Sequence, residues 1–363
     1  MKALELKEGS EVLMTPITIP DMVNMIRCLG LKPVFVDFEK DTYNIDCDDL
    51  ERKLSEKSRV ILITHLCGLV PDMDKIVKTV NRHNLILLED CSQDFGAAYK
   101  DKPLGTFGEA GFFSTGILKA LSTYSGGIII SDNEILLNKI DELVNNDFSM
   151  PPRSFLIKFV FENLLVWFLT QRFVFSLFTY YIIRLLNIFK PEAISKSQAS
   201  NVSLFFGGAP SLMDKVPKDM LYFYTDIQAE VGLKILNTID SFDKKRIRNA
   251  RILLENLCQA GRMHLPVLMD ESRCVFWRFP IRMKDYKRFQ EYLFNKYIDT
   301  SRTNLMCCSS APFFKIYATE TNEAEKAKEQ TVYIPVDPSL SEGQMRYIAG
   351  TINMYFRDFK EFN

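Results

Sequence analysis

Two residues in this 363-residue chain have the type and placement to do chemistry. Asp90 closes the apolar run NLILLED (84–90), and Lys119 lies five residues past Ser114, in the loop between the runs AGFFS (110–114) and GGIIIS (126–131). An unprotonated lysine amine condenses with an aldehyde to give a Schiff base. An ionised aspartate keeps a pyridine nitrogen protonated, which makes the ring an electron sink. Together they point to pyridoxal phosphate. Each also has a plain reading, because an Asp at a strand end caps the following helix and a loop Lys is usually solvated.

The segments around them are the elements that must do the positioning. PVFVDF (33–38), RVILITH (59–65) and NLILLED are short aliphatic or β-branched runs, while 47–57 and 71–83 carry helical spacing with charged faces. This is a βαβ series with a mostly parallel sheet buried on both sides. AGFFS and GGIIIS read as two more strands, followed by a helix from about 133 to 145. Ligands gather at the carboxyl ends of such strands, so Asp90 and Lys119 are candidates to face one site.

Past residue 150 the character changes. Residues 154–190 are far more apolar and aromatic than anything before them, and SKSQASN (195–201) with GGAP (207–210) reads as a linker. A long helical segment from about 219, the strand-like CVFWRFPIR (274–282) and helices near 284–297 and 341–360 form a second, smaller α+β unit. The chain thus divides into a large cofactor-binding domain (1–147), an apolar helical insertion with linker (148–218) and a small C-terminal domain (219–363).

Composition narrows the class. With 47% hydrophobic and 25% charged residues the chain is globular, and 45 Lys plus Arg against 46 Asp plus Glu leave no basic field for nucleic acid. The eight cysteines show no CxxC spacing and only three histidines accompany them, which reads as reduced thiols and no metal site; the vicinal Cys307 and Cys308 read as packing. The segment MKALELKEGSEV has no apolar h-region, so a cytoplasmic protein is expected.

Five segments in order carry a resemblance: GLKPVFVDFEKDTYNID (30–46), HLCGLVPDMDKI (65–76), LEDCSQDFGAAYKDKPLGTFGEAGFFS (88–114), DIQAEVGLKILNTID (226–240) and IPVDPSLSEGQM (334–345). The chain resembles the sugar aminotransferases of the DegT/DnrJ/StrS type, a branch of the fold-type-I pyridoxal-phosphate enzymes, over nearly all its length outside 148–218. The resemblance implies an α/β fold with a mostly parallel seven-stranded-type sheet and a smaller C-terminal α+β domain. It also implies a homodimer, pyridoxal 5'-phosphate as cofactor, and transfer of an amino group from an amino acid, glutamate by expectation, to a keto group of a nucleotide-linked sugar. The setting would be polysaccharide or modified-sugar biosynthesis.

Carried over by position, Lys119 matches the Schiff-base lysine and Asp90 the aspartate that pairs with the pyridine nitrogen. Gln93 matches the side chain near the ring hydroxyl, Ser114 the serine that helps hold the phosphate, and Thr18 a threonine lining the cofactor site. Gly126 and Gly127 match a glycine pair where backbone approaches closely or takes positive φ. His65 matches a strand-end histidine, read as packing or capping. A lysine where sugar-dehydrating relatives carry histidine favours transamination. The chain departs from the pattern in three places. The match starts at the end of a helix that the family opens with an SGT-like, phosphate-binding turn, so that turn is expected to be missing. Ile19 stands where an aromatic residue is frequent, and Ser125 where an acid usually precedes the glycine pair. The rival expectation is a non-catalytic, membrane-associated homologue that keeps the fold for binding.

The apolar insertion makes its own prediction. Leu164 to Ile183 holds a single formal charge, Arg172, and is long enough to span a bilayer. A central Arg costs roughly 2.5 to 3.5 kcal/mol on insertion, and a single crossing would separate two domains that must enclose one site. The pattern therefore predicts two helices, about 155–170 and 173–189, hinged near Gln171 and Arg172. They would make peripheral membrane contact with Trp167, Tyr180 and Tyr181 anchoring, or dock on the protein as a hairpin.

Overall fold

The computed structural model describes residues 1–189, 211–257, 263–303 and 305–359. Among these, six strands make the central sheet: β1 (Glu11–Met14), β2 (Lys32–Phe35), β3 (Ser58–Thr64), β4 (Ile86–Asp90), β5 (Ala110–Ser114) and β6 (Gly127–Ile130). Their order is β2-β1-β3-β4-β5-β6, with the first five parallel and β6 antiparallel to β5. Helices α1 (Pro20–Cys28), α2 (Cys47–Lys53), α3 (Met73–Arg82) and α4 (Glu134–Asp147) belong to the same half of the chain. Three of them start where the sequence offers a cap: the side chains of Asp46, Asp72 and Asn133 accept from the backbone N–H of Asp48, Lys75 and Leu136.

Alternate residues of the strands supply opposite faces of the sheet. Leu13, Ile61, Ile63, Leu87 and Phe113 belong to one buried cluster, and Val12, Met14, Val60, Leu62 and Leu88 to another. Burial on both faces is why these runs are continuously apolar rather than alternating. Strand β1 escaped the sequence reading. EVLM is too short to show a period, yet it pairs with both β2 and β3 inside the sheet.

The C-terminal half follows the apolar insertion, whose helices are α5 (Arg153–Thr170) and α6 (Tyr180–Phe189). Then come α7 (Asp226–Asn256), strand β7 (Phe279–Arg282), α8 (Tyr286–Asn295), α9 (Asn322–Gln330), strand β8 (Thr331–Ile334, antiparallel to β7) and α10 (Glu342–Asp358). Capping boxes, Thr225 with Gln228 and Ser341 with Gln344, open α7 and α10. Ala250, Leu253, Phe279, Phe289, Ile348 and Ile352 continue the first sheet cluster, so one core runs from the sheet into the C-terminal half.

The insertion bends where its sequence indicated. Between α5 and α6 lie Gln171, a short turn Arg172–Val174 and a π-helical turn Phe175–Thr179, and the apolar stretches on either side of this break meet at 76°. Ser149 pairs with Tyr222, so the backbone on the two sides of the insertion lies side by side. Tyr180 stacks on Phe294 of α8 at 5.4 Å. No helix among the described residues is long and apolar enough to cross a membrane alone. The linker segments 195–201 and 207–210 lie outside the described residues.

Candidate active site

Asp90 ends β4 and is 5% exposed. Its Oδ1 accepts from Ser92 N at 3.0 Å, so it caps the turn after the strand from inside the protein. Burial raises its pKa, and the hydrogen bonds from Ser92 and the charge of Lys119 oppose that rise. For Lys119 the signs invert: burial lowers the amine's pKa, Asp90 opposes, and the neighbouring Arg278 lowers it further. The two residues therefore share one electrostatic site. Their separation by 29 residues is closed by the parallel pairing of β4 with β5.

The lysine loop is locked from several sides. Lys119 N donates to Gly116 O, Thr115 N to Gly126 O and Thr123 N to Thr115 O. The carbonyl of Ser125 accepts from Thr115 Oγ1 (2.8 Å), Thr123 Oγ1 (3.1 Å) and Gln228 Nε2 (3.0 Å). Tyr224 OH donates to Thr123 Oγ1 at 2.7 Å. Position 126 must be glycine on two grounds: φ is +101°, and a Cβ would fall 2.7 Å from the Tyr224 ring. Gly127 is ordinary strand backbone, where a Cβ would press to 3.2 Å from Phe113 O.

The remaining predicted residues are placed as follows. Gln93 is buried, and its Oε1 accepts from Cys67 N at 2.8 Å, tying the turn after β4 to the turn after β3. Ser114 ends β5, half-buried, with Oγ accepting from Gly116 N at the start of the lysine loop. Thr18 is 1% exposed on a two-residue strand whose partner is Met306–Cys307, and its carbonyl faces Cys308 Sγ. Ile19, 45% exposed, is the N-cap of α1.

CVFWRFPIR is a strand only from Phe279 onward. Ahead of it Val275 N and Phe276 N both donate to Gly68 O, Arg278 N donates to Cys67 O, and Phe276 takes φ +48°. A Cβ on Gly68 would lie 2.5 Å from the Phe276 and Trp277 nitrogens, so the two segments touch backbone to backbone. This contact carries Trp277 to the lysine: Trp277 Nε1 donates to Leu118 O at 2.8 Å, and Lys119 Nζ lies 4.8 Å from the Trp277 ring centroid.

Beside it opens a cleft of about 800 Å³ lined by Lys119, Trp277, Arg278, Ser301, Tyr333 and further residues of the C-terminal half. Arg278 packs its guanidinium on Trp277 (4.4 Å) and Tyr333 (5.1 Å) and donates to Ser301 Oγ at 2.9 Å. No carboxylate pairs with it among the described residues, which leaves a cation facing the cleft ready for an oxyanion. Asp94 also escaped the sequence reading. It is fully buried, and burial pushes its pKa up to about 7, against the charges on His65 and Lys119 and a backbone N–H at Gly68 that favour its ionised form.

His65 is 2% exposed, with Nε2 3.1 Å from Glu89 Oε2. Glu89 also accepts from the backbone N–H of Gly105, Phe107 and Gly108. Cys91 lies near enough for the three to resemble a metal cluster. Four donors already engage the two Glu89 oxygens, so the carboxylate is an organiser of the 105–108 loop and not an open ligand. The seven cysteines among the described residues are free thiols.

A mostly parallel α/β sheet with a desolvated lysine set against a strand-end aspartate defines an enzyme of the aminotransferase type. Residues 1–156 and 221–353 match the DegT/DnrJ/EryC1/StrS aminotransferase family, and the chain belongs to it. It is 25% identical over 362 residues to GDP-perosamine synthase of Escherichia coli O157:H7, covering 98% of this chain and 82% of the relative. It is 24% identical over 361 residues to dTDP-3-amino-3,6-dideoxy-alpha-D-galactopyranose transaminase of Aneurinibacillus thermoaerophilus, covering 98% and 81%. The fold matches the aminotransferase from Psychrobacter cryohalolentis with a TM-score of 0.74 at 19% identity, covering 99% of this chain and 84% of that one. The chain is thus a transferase of the family that serves nucleotide-sugar and polysaccharide biosynthesis. The family match stops at 156 and resumes at 221, which leaves most of the apolar insertion outside it.

Proposed function

We propose that this chain holds pyridoxal phosphate through Lys119 and transfers the amino group of an amino acid, glutamate in our reading, to a keto carbon of a nucleotide-linked sugar. The observation that carries this is that Lys119, an amine whose pKa is lowered by burial at the wall of an 800 Å³ cleft, lies near enough to the buried Asp90 for each to act on the other's charge, without an ion pair between them. The residues fit the cofactor. Asp90 has no ion pair among the described residues, so its charge is available to a protonated ring nitrogen. When bound, the cofactor supplies the electron sink that lets a proton leave the donor carbon. Lys119 would first offer its free amine to the aldehyde and then carry that proton as general acid and base. Gln93 and Ser114 would stand at the ring hydroxyl and the phosphate, and Thr18 at the edge of the cofactor site. Arg278 would receive a carboxylate or phosphoryl group of a substrate. We place residues 1–147 as the cofactor domain and 219–363 as the small domain of a cytoplasmic homodimer, with peripheral membrane contact through 154–190.

The test is chemical. Borohydride reduction of the protein incubated with pyridoxal phosphate should fix the cofactor on the Lys119 peptide, and a label on another lysine would sink the assignment. Asp90→Asn should weaken cofactor binding by roughly 10- to 100-fold, the worth of one charged hydrogen bond, measured by titrating the absorption band. Light scattering of the cofactor-loaded protein should give twice the chain mass; the mass of one chain would contradict the dimer.

A further inference from the structure

The insertion presents an apolar surface that no part of the described chain covers. Ile157, Phe161, Trp167, Phe173, Phe178 and Tyr181 are each 60% exposed or more. A monomeric soluble surface does not carry a contiguous patch of such residues without a partner.

Three features say what the partner is. The first is the charge. Between residues 153 and 190 there are five basic residues, Arg153, Lys158, Arg172, Arg184 and Lys190, against one acid, Glu162, in a chain whose net charge is -1. By its sequence such a segment attracts an anionic surface and repels a copy of itself.

The second is the hinge. A helix end in water leaves its last carbonyls to the solvent, but here side chains and backbone of the break take them up. Thr170 Oγ1 donates to Val166 O (2.9 Å) and Trp167 O (3.1 Å), Gln171 Nε2 to Trp167 O (3.1 Å), and Thr179 Oγ1 reaches across the bend to Leu169 O (2.9 Å). Gln171 N donates to Phe168 O and Phe175 N to Gln171 O. A break whose carbonyls are satisfied internally is what an apolar medium requires.

The third is topology. Ser149 is paired with Tyr222, so both sides of the insertion stay on one face of the protein and no single crossing can occur.

We infer that residues 153–189 form a monotopic anchor that seats the enzyme on an anionic phospholipid surface. Both helices lie in one leaflet at the boundary between phosphates and acyl chains, where the bend's carbonyls can leave water while an arginine at position 172 stays clear of the bilayer centre. The anchor deepens the peripheral membrane contact proposed above and does not depend on the cofactor chemistry, so that anchor and chemistry fail separately.

The test uses the full chain and flotation with vesicles of phosphatidylethanolamine and phosphatidylglycerol. The protein should float with them, and vesicles of pure phosphatidylcholine should retain at least ~10-fold less. Phe161→Glu and Phe178→Glu, both at exposed positions and with folding checked by circular dichroism, should each reduce flotation by at least ~10-fold. The chain has two tryptophans. In a Trp277→Phe background the remaining Trp167 should shift to the blue on vesicles and be quenched by brominated acyl chains. Protein that stays at the bottom, or that floats with Trp167 unquenched, overturns the anchor. Solution oligomers that dissociate on Phe161→Glu, with no vesicle binding, would instead assign the patch to contacts between copies.

Discussion

Lys119→Ala is expected to abolish transamination, lowering kcat by at least ~10⁴-fold, since loss of a positioned acid and base alone costs up to about that much and the covalent hold on the cofactor goes with it. Lys119→Arg should be no better. A guanidinium keeps the charge beside Asp90 but offers no free amine at accessible pH. The distinction from a structural role lies in rescue. The side chain lines an open cleft of about 800 Å³, so a small primary amine in the buffer should enter the space left by Lys119→Ala and restore part of the proton transfer. Absence of rescue together with an unchanged wild-type rate in the variant would remove Lys119 from the chemistry. The pH profile follows from the direction of its shift. Burial, aided by Arg278, lowers the amine's pKa from 10.5 against the pull of Asp90, so the free-amine form gains at every pH relative to an ordinary lysine. Arg278→Ala removes a neighbouring cation, and the amine's pKa should then rise. The basic shift in the pH dependence of cofactor attachment is read by absorbance.

The pair that carries this prediction was legible because its position follows from topology alone. An acid closing one parallel strand and a lysine in the loop after the next must meet at the carboxyl edge, whatever the details. The hinge at Gln171 was legible for a similar reason: a polar pair interrupts an apolar run, and Thr170 and Thr179 on either side supply its hydrogen bonds. What failed depended on contacts distant in sequence. EVLM became a strand within the sheet because Lys32–Phe35 and Ser58–Thr64 flank it, not because four residues declare themselves. VFWR looked like a strand by composition, but its N–H groups go to the carbonyls of Cys67 and Gly68, which no period encodes. Trp277, Arg278 and the buried Asp94 reach the lysine only through that contact or through burial. A lone Asp one residue past Gln93 carries no signal in a string of letters.

The largest effect on stability is expected at Glu89, one residue before the candidate acid. Glu89→Ala would strand four donors in the interior: His65 Nε2 at 3.1 Å and the backbone N–H groups of Gly105, Phe107 and Gly108 at 2.9, 2.7 and 2.9 Å. At ~1 kcal/mol or more for each unsatisfied buried donor the loss is about 4 kcal/mol, a large part of the 5 to 15 kcal/mol that typically holds a domain together, and Tm should fall by roughly 5 °C in a chain of this length. Gly105 packs against β5, where a Cβ on Gly111 would lie 2.3 Å from its carbonyl oxygen, so the freed loop underlies the strand that leads to Lys119. Glu89→Gln should lie between. It keeps one acceptor oxygen but turns an NH2 group toward donors. The pH dependence separates charge from shape. Burial acts to raise the Glu89 carboxyl, yet His65 and the loop N–H groups bring it below its ordinary 4.5, so this stabilisation is complete above about pH 4.5 and is lost as pH falls through the depressed value. Burial acts to lower His65, yet Glu89 brings it above its ordinary 6.5, so that contribution is complete below about pH 6.5 and is lost as pH rises through the raised value. The pair therefore stabilises most in the window between these two limits. Thermal melts across that window should show a maximum in the wild type that flattens on both sides in Glu89→Gln, and an unaltered profile in the variant would mean that the pair carries no charge.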